Sequence, residues 1–361
     1  MKILLLSKYS RKGASTRLRL LQYLPFLEAE GFKVTVSSLF DDEYLDQLYQ
    51  HGKRAPFRIM MLYLRRLVVL LSAFRYDMIW IEKEIFPYMP ALAERVLRLL
   101  GKRYVVDFDD AIFHNYDLSG NPVLRRVLGR KIDVVMRCAS CVVAGNEYLA
   151  SRAKAAGAVR VELVPTVVDV TRYSPIGPSV ASRPVIGWIG SPSTQSYVVD
   201  IARPLALQCQ KHNARLLLIG ASDDIASELP GVDVEVVRWS EASEVALIAG
   251  MDIGIMPLPD GPWEKGKCGY KLIQYMACGI PVIASPVGVN VDIVGTNRCG
   301  LLATSSVKWE VALDNLLESP AQRLELGRAG RQAVESWYSL AVQAPILAGI
   351  FARSMNPPER T

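Results

Sequence analysis

Short apolar runs alternate with helix-patterned stretches along nearly the whole chain, and this rhythm constrains the fold more than any other feature. The runs are Lys2 to Leu6, Lys33 to Ser37, Met78 to Ile81, Tyr104 to Asp107, Ser140 to Val143 and Val161 to Val164. A second set follows at Val185 to Ile189, Arg215 to Ile219, Val234 to Val237, Ile253 to Met256 and Val282 to Ala284, ending in helices beyond Lys308. Strand, helix and strand in succession build a parallel sheet with helices on both faces. The first helix reads Thr16 to Glu30, closed by Gly31, with Pro25 expected to kink it because proline lacks the amide N–H of the ladder. Residues 165–184 carry Pro165, Pro175, Gly177, Pro178 and Pro184 without any periodicity, which marks a boundary between the two sets.

The length of 361 residues suits two such domains at roughly 100 to 200 residues each. The expected architecture is therefore α/β, two tandem doubly wound parallel-sheet domains facing a cleft, with ligands beyond the carboxyl ends of the strands. Half the residues are apolar and 22% are charged, which excludes a disordered chain. Six cysteines are scattered, and Cys138 and Cys141 have no second pair or histidine cluster to complete a zinc site, so they read as reduced thiols. The apolar start is too short for a signal peptide and reads as a first strand, which places the chain in the cytoplasm.

The net charge of +6 is uneven, since residues 1–170 hold 26 Lys and Arg against 18 Asp and Glu. Part of the surplus lies in Lys53 to Arg75, where six basic residues and no acid interleave with Met60, Met61, Leu62, Leu64, Leu67, Val68, Leu70 and Leu71. Arg58, Arg65 and Arg66 interrupt the stretch, so it does not span a membrane, which takes about 20 nearly unbroken apolar residues. The composition suits a helix lying on anionic lipid at the inner face of the membrane, and equally a core helix with a solvated basic edge.

Four stretches hold residues that suit a site. Ser7 to Arg17 is a flexible loop with Gly13 that opens a helix, where free N–H groups attract anions, although the spacing is not Gly-x-Gly-x-x-Gly. Asp107, Asp109 and Asp110 crowd one strand end, followed by His114; like charges so close need a cation, donors or a polar ligand, or else form a solvated helix cap. Gly190 and Ser191 follow the Val185 strand, where backbone can approach a phosphate closely. Lys265, Lys267 and Lys271 gather at the start of a helix that begins near Tyr270 and ends at Gly279 and Pro281. Cations there oppose the helix dipole, which implies a bound polyanion.

Here a resemblance becomes specific. Tyr270 to Ser285, which reads Tyr-Lys-Leu-Ile-Gln-Tyr-Met-Ala-Cys-Gly-Ile-Pro-Val-Ile-Ala-Ser, and Val164 to Pro175 resemble segments of retaining glycosyltransferases of family 4, which have the glycosyltransferase-B fold. Gly145 to Leu149 stands where that family begins another helix, and the likeness runs from Lys2 to about Tyr338. It implies an N-terminal Rossmann-like domain for the acceptor (1–170), a C-terminal one for a nucleotide sugar (171–336), and a last helix (337–361) that crosses back to the first. The family's two glutamates, with seven residues between them, fall on Gly266 and Gln274, with Glu264 close by. Its usual Arg and Lys after the Gly190 loop are also absent.

The resemblance implies a hexosyltransferase acting with retention on a nucleoside-diphosphate sugar and a glycan or lipid-linked acceptor, in polysaccharide biosynthesis. Donor contacts would come from Gly13, Gly190, Ser191, Glu264, Lys265, Lys267, Lys271 and Gln274, and catalysis from Asp109, Asp110 and Lys271. No cofactor, metal or nucleic acid is expected. A nucleotide-sugar epimerase of the same fold and a non-catalytic nucleotide-sugar-binding protein are the alternatives.

Overall fold

The structure, a computed structural model, describes residues 1–44, 56–174 and 183–355, so Lys53, Arg54 and the Pro175 to Pro178 part of the boundary segment lie outside the described residues. The chain divides into two units, Met1–Thr166 with Gln343–Thr361, and Val167–Val342. Each holds one six-stranded sheet in which every pairing is parallel.

In unit 1 the strands are β1 (Lys2–Ser7), β2 (Lys33–Ser38), β3 (Met78–Glu82), β4 (Tyr104–Phe108), β5 (Cys141–Ala144) and β6 (Val161–Leu163), in the order β2-β1-β3-β4-β5-β6. The chain steps one way from β1 to β2 and the other way thereafter, so the carboxyl ends of β1 and β3 flank the switch point where doubly wound sheets open a crevice. In β3 and β4 every residue is buried, which is why Met78 to Ile81 and Tyr104 to Val106 read as continuous apolar runs instead of alternating ones.

In unit 2 the strands are β7 (Val185–Ile189), β8 (Arg215–Ile219), β9 (Val234–Val237), β10 (Ile253–Met256), β11 (Val282–Ala284) and β12 (Gly300–Leu302), ordered β12-β11-β10-β7-β8-β9. Its switch point lies between β7 and β10. The resulting fold is α/β, with two Rossmann-like parallel sheets flanked by helices.

Two local expectations change. Pro25 does not kink one long helix: a helix Ala14–Arg19 ends, a short 3-10 turn covers Leu21–Tyr23, and a new helix Leu24–Ala29 begins with Pro25 in its first turn. Proline is tolerated there because the first N–H groups of a helix have no partner in any case. The strand Gly300–Leu302 had no sequence counterpart, since three half-buried residues leave no pattern to count.

The last helix, Leu340–Met355, begins in unit 2 and continues into unit 1. There the Phe351 ring stands edge-on to Trp80 at 5.0 Å and to Phe32 at 6.3 Å, and it is fully buried. At the carboxyl end of β5 the buried Asn146 caps the helix Glu147–Ala155, its side-chain oxygen accepting the Leu149 amide at 3.0 Å. Asn146→Ala is expected to cost about 1 kcal/mol, the usual worth of an N-cap, read as a lower urea midpoint with unchanged slope.

Candidate functional site

In unit 2 the helix Tyr270–Ala277 is seated by Tyr275, whose hydroxyl accepts the Ile189 amide at 3.0 Å and donates to the Ile255 carbonyl at 3.4 Å. A Cβ at Gly254 would come within 2.4 Å of the Tyr275 ring, so the bare backbone of β10 lets the helix sit against the sheet. Gly269, at φ +65°, turns the chain into the helix, and a Cβ there would meet Ile293 at 2.4 Å. Gly279, also left-handed, closes it. The short Gly-bounded helix thus stands beside the β7–β10 switch point.

Its second residue, Lys271, carries its ammonium 4.4 Å from the centre of the Trp188 ring. The same ring fills the space where a Cβ at Gly190 would lie, 2.1 Å from its edge, so Trp188 brings Lys271 and Gly190 together. A cation over an aromatic face is attracted to it, but no carboxylate pairs with Lys271 among the described residues. Burial, reinforced by Lys267, lowers the Lys271 pKa to about 7. The site therefore holds a cation in the first turn of a helix, where the dipole disfavours it.

The other expected donor residues are placed differently from one another. Lys265 ends a separate four-residue helix, Pro262–Lys265, and pairs with Asp260 at 3.1 Å, so the three lysines are not one set of unpaired cations. Glu264 accepts a hydrogen bond from the Tyr197 hydroxyl at 2.6 Å. Gln274 is 2% exposed and donates to the Tyr173 hydroxyl at 3.4 Å; that hydroxyl donates to Glu244 at 3.1 Å, which also accepts from the Trp239 indole at 2.7 Å. Ser191 is exposed and its hydroxyl meets that of Ser193 at 2.9 Å. Beyond the ends of β10, β11 and β12 lies a pocket of about 400 Å³ lined by Tyr197, Asp260, Ser285, Thr304 and Trp309 among others.

In unit 1 the aspartates do not form a solvated cap. The next helix, His114–Asp117, has no side-chain cap at all. Instead Asp107 holds Arg19 through two bonds of 2.9 Å, both groups nearly fully buried. Asp109 pairs with Lys83 at 2.8 Å, and Asp110 lies 3.5 Å from the same ammonium, which also donates to Ser15 at 3.2 Å. Burial opposes the Lys83 charge, yet Asp109, Asp110 and Glu82 outweigh it and hold the ammonium above its usual range. Against the same burial, Lys83 and Arg19 keep the Asp109 carboxyl below its own. His114 is fully engaged, with Asp117 on one ring nitrogen and the Tyr148 hydroxyl on the other, each at 2.8 Å. Gly13 precedes the helix Ala14–Arg19, where a Cβ would meet Tyr9 at 2.6 Å.

Lys83 escaped the sequence reading. It follows β3 in Glu82-Lys83-Glu84, beside the β1–β3 switch point, with a left-handed φ of 64° unusual for a lysine. Its neighbours are equally committed: Glu82 accepts the Lys8 amide and the Thr16 hydroxyl, both at 2.7 Å, and Glu84 takes the Tyr116 hydroxyl and the Lys131 ammonium. Three charged residues in a row, Glu82 to Glu84, directly after the apolar run Met78 to Ile81 were the available signal. Among the described residues one grouping, His212, Asp314 and Glu318, has metal-ligand spacing, but the Lys211 ammonium already sits on both carboxylates at 2.6 and 3.1 Å.

Residues 183–319 match the family model described as "Glycosyl transferases group 1". A D-inositol 3-phosphate glycosyltransferase of Pseudarthrobacter chlorophenolicus is 29% identical over 33% of this chain and 26% of its own length. A GDP-mannose-dependent monoacylated alpha-(1-6)-phosphatidylinositol monomannoside mannosyltransferase of Corynebacterium glutamicum is 26% identical over 64% of this chain and 65% of its own. The chain thus spans less than two thirds of either relative. The crystal structure of Anabaena HepE in complex with UDP superposes with a TM-score of 0.72 at 17% identity, over 98% of this chain and 100% of that one. Residues 183–319 thus carry the sequence of a group 1 glycosyl transferase domain, in a chain whose two parallel sheets share the fold of the HepE structure.

Proposed function

We propose that this chain is a retaining glycosyltransferase that moves a hexosyl group from a nucleoside-diphosphate sugar to a glycan or lipid-linked acceptor. The observation that carries this reading is Lys271, a cation without a carboxylate partner among the described residues, held over Trp188 beside Gly190 at the switch point of unit 2. A departing nucleoside diphosphate needs positive charge and N–H dipoles near its phosphates more than a strong base. Lys271 and the helix start supply both, and Lys267 lies near enough to depress the Lys271 pKa. Gly13, Ser191, Glu264, Lys265 and Gln274 complete the proposed donor set. Unit 1 takes the acceptor, with Asp109 or Asp110 orienting its hydroxyl or the donor sugar. The relatives support this class of chemistry, since their names include GDP-mannose and inositol phosphate and the HepE crystal holds UDP.

An acceptor borne on a lipid would be met at the inner face of the membrane, the setting suggested by the basic, apolar segment 53–75. A melting panel with UDP, GDP, ADP and dTDP sugars tests the donor. The true donor at 100 times its dissociation constant stabilises by about 2.7 kcal/mol, and a flat panel would sink the reading. Incubation with that donor and no acceptor then separates the alternatives: slow hydrolysis with retained configuration supports transfer, a changed sugar still attached to nucleotide marks an epimerase, and an untouched donor marks a binding protein.

A further inference from the structure

The large apolar side chains that the described residues leave exposed are concentrated in one stretch of unit 1, between residues 57 and 127. On the helix Pro56–Leu71, Phe57, Leu64, Val68 and Leu71 are 71, 47, 66 and 79% exposed, and on the helix Leu92–Leu99, Leu92 and Leu99 are 61 and 84% exposed. The two helices lie in the β2-to-β3 and β3-to-β4 crossovers, which step the same way along the sheet, so right-handed connections set both on one face of it. Tyr63 of the first helix reaches the loop that leads into the second: its hydroxyl donates to the Pro87 carbonyl at 2.7 Å, and its ring lies 5.4 Å from Phe86. Leu62 and Leu97 are the buried apolar anchors, so the exposed residues belong to the outer side of this layer.

The charge on the layer has one sign. Pro56–Leu71 contains no acid, and the single acid of Leu92–Leu99, Glu94, is buried and accepts the Ile85 amide at 3.0 Å. Arg65, Arg75 and Arg95 are exposed and pair with no carboxylate among the described residues. The other two arginines of the first helix already have partners in unit 1, one inside the fold and one at its surface, which corrects their sequence-based assignment to lipid. Arg66 is buried and caps the Ser7 and Ser37 carbonyls, while Arg58 pairs with Asp41 and Glu43.

We propose that this two-helix face of unit 1 docks on an anionic bilayer, with Phe57, Leu64, Val68, Leu71, Leu92 and Leu99 entering the headgroup boundary and Arg65, Arg75 and Arg95 meeting the lipid phosphates. The proposal rests on the lipid-borne acceptor given above for its purpose, and on the exposed side chains for its physics. At 1.5 Å per residue the longer helix lies flat for about 24 Å, the arrangement of an interfacial helix. A second copy of the chain is the poorer occupant, because a twofold contact through this face would set its unpaired arginines against each other.

The test is sedimentation of the full chain with vesicles of phosphatidylcholine alone or mixed with phosphatidylglycerol. Wild type is expected to bind the mixed vesicles. The triple variant Arg65→Gln, Arg75→Gln, Arg95→Gln should lose roughly a hundredfold in partitioning, at about fivefold per arginine. Val68→Ser, Leu71→Ser, Leu99→Ser should lose binding as well, and all six changes are at exposed positions, so the melting temperature should hold. Wild-type partitioning in both triple variants would overturn the proposal, as would failure of wild type to bind vesicles together with a dimer that the serine variant dissociates. Donor binding, followed by melting in the same variants, stays unchanged if docking is separate from the donor site. A protein that binds vesicles but no nucleotide sugar would sink the transfer reading and leave docking standing.

Discussion

Lys271→Ala is expected to weaken nucleotide-sugar binding and to lower turnover by at least about tenfold, equivalent to roughly 1.4 kcal/mol of transition-state stabilisation, while the empty protein melts no lower than wild type. The two halves of this result have opposite signs for one reason. Burial and Lys267 hold the Lys271 pKa near 7, whereas the unfolded chain keeps lysine near about 10.4. Between those values the unfolded state binds more protons, so the empty protein gains stability from this site as pH rises through the window, and carries its full cost below pH 7. A bound diphosphate reverses the preference, because its negative charge favours the ammonium. Donor affinity should therefore fall as pH climbs above about 7, and the fall should vanish in Lys271→Ala. Titrations of donor binding from pH 6 to pH 9 check both statements; identical affinities and pH profiles in wild type and variant would remove the central site assignment.

The parts of this arrangement that sequence could reveal are those set by neighbours in the chain. Gly269 and Gly279 bracket the Lys271 helix, and Pro281 follows, so its ends and the place of Lys271 in its first turn were legible. The strands Val185–Ile189 and Arg215–Ile219 were equally plain, since fully apolar runs bounded by polar residues have few other uses in an α/β chain. Trp188, by contrast, lies far from Lys271 in sequence, and only the β7–β10 neighbourhood brings it beneath the ammonium. Gln274 reads from the resemblance as a donor contact, yet folding gives its amide a buried tyrosine. Lys83 is the clearest case, because the charged run Glu82-Lys83-Glu84 marks a strand end but does not distinguish a lysine that ends up facing two aspartates just beyond β4 from one that faces water.

Lys83→Met should destabilise unit 1 by about 3 to 5 kcal/mol, the usual cost of stripping one partner from a buried ion pair, because Asp109 and Asp110 then face each other with no ammonium between them. The same substitution on an Asp109→Asn background should cost far less, since the charge left stranded is gone; urea melts of wild type, both single variants and the double variant measure that coupling directly. Turnover separates the structural from the chemical role of the pair. If Asp109 orients a substrate hydroxyl, Asp109→Asn and the double variant share a deep loss of turnover even at temperatures where both remain folded. If the pair serves only to hold the β3 and β4 ends together, the double variant recovers turnover along with stability, and the assignment of Asp109 to the acceptor or donor sugar fails. Arg19 and Asp107 form a second buried ion pair beside the first, in which Arg19 also donates to the Val164 carbonyl at 2.8 Å. Arg19→Met should therefore lower stability by a similar amount, through the uncompensated Asp107 carboxylate, and any fall in turnover it causes should track the unfolded fraction.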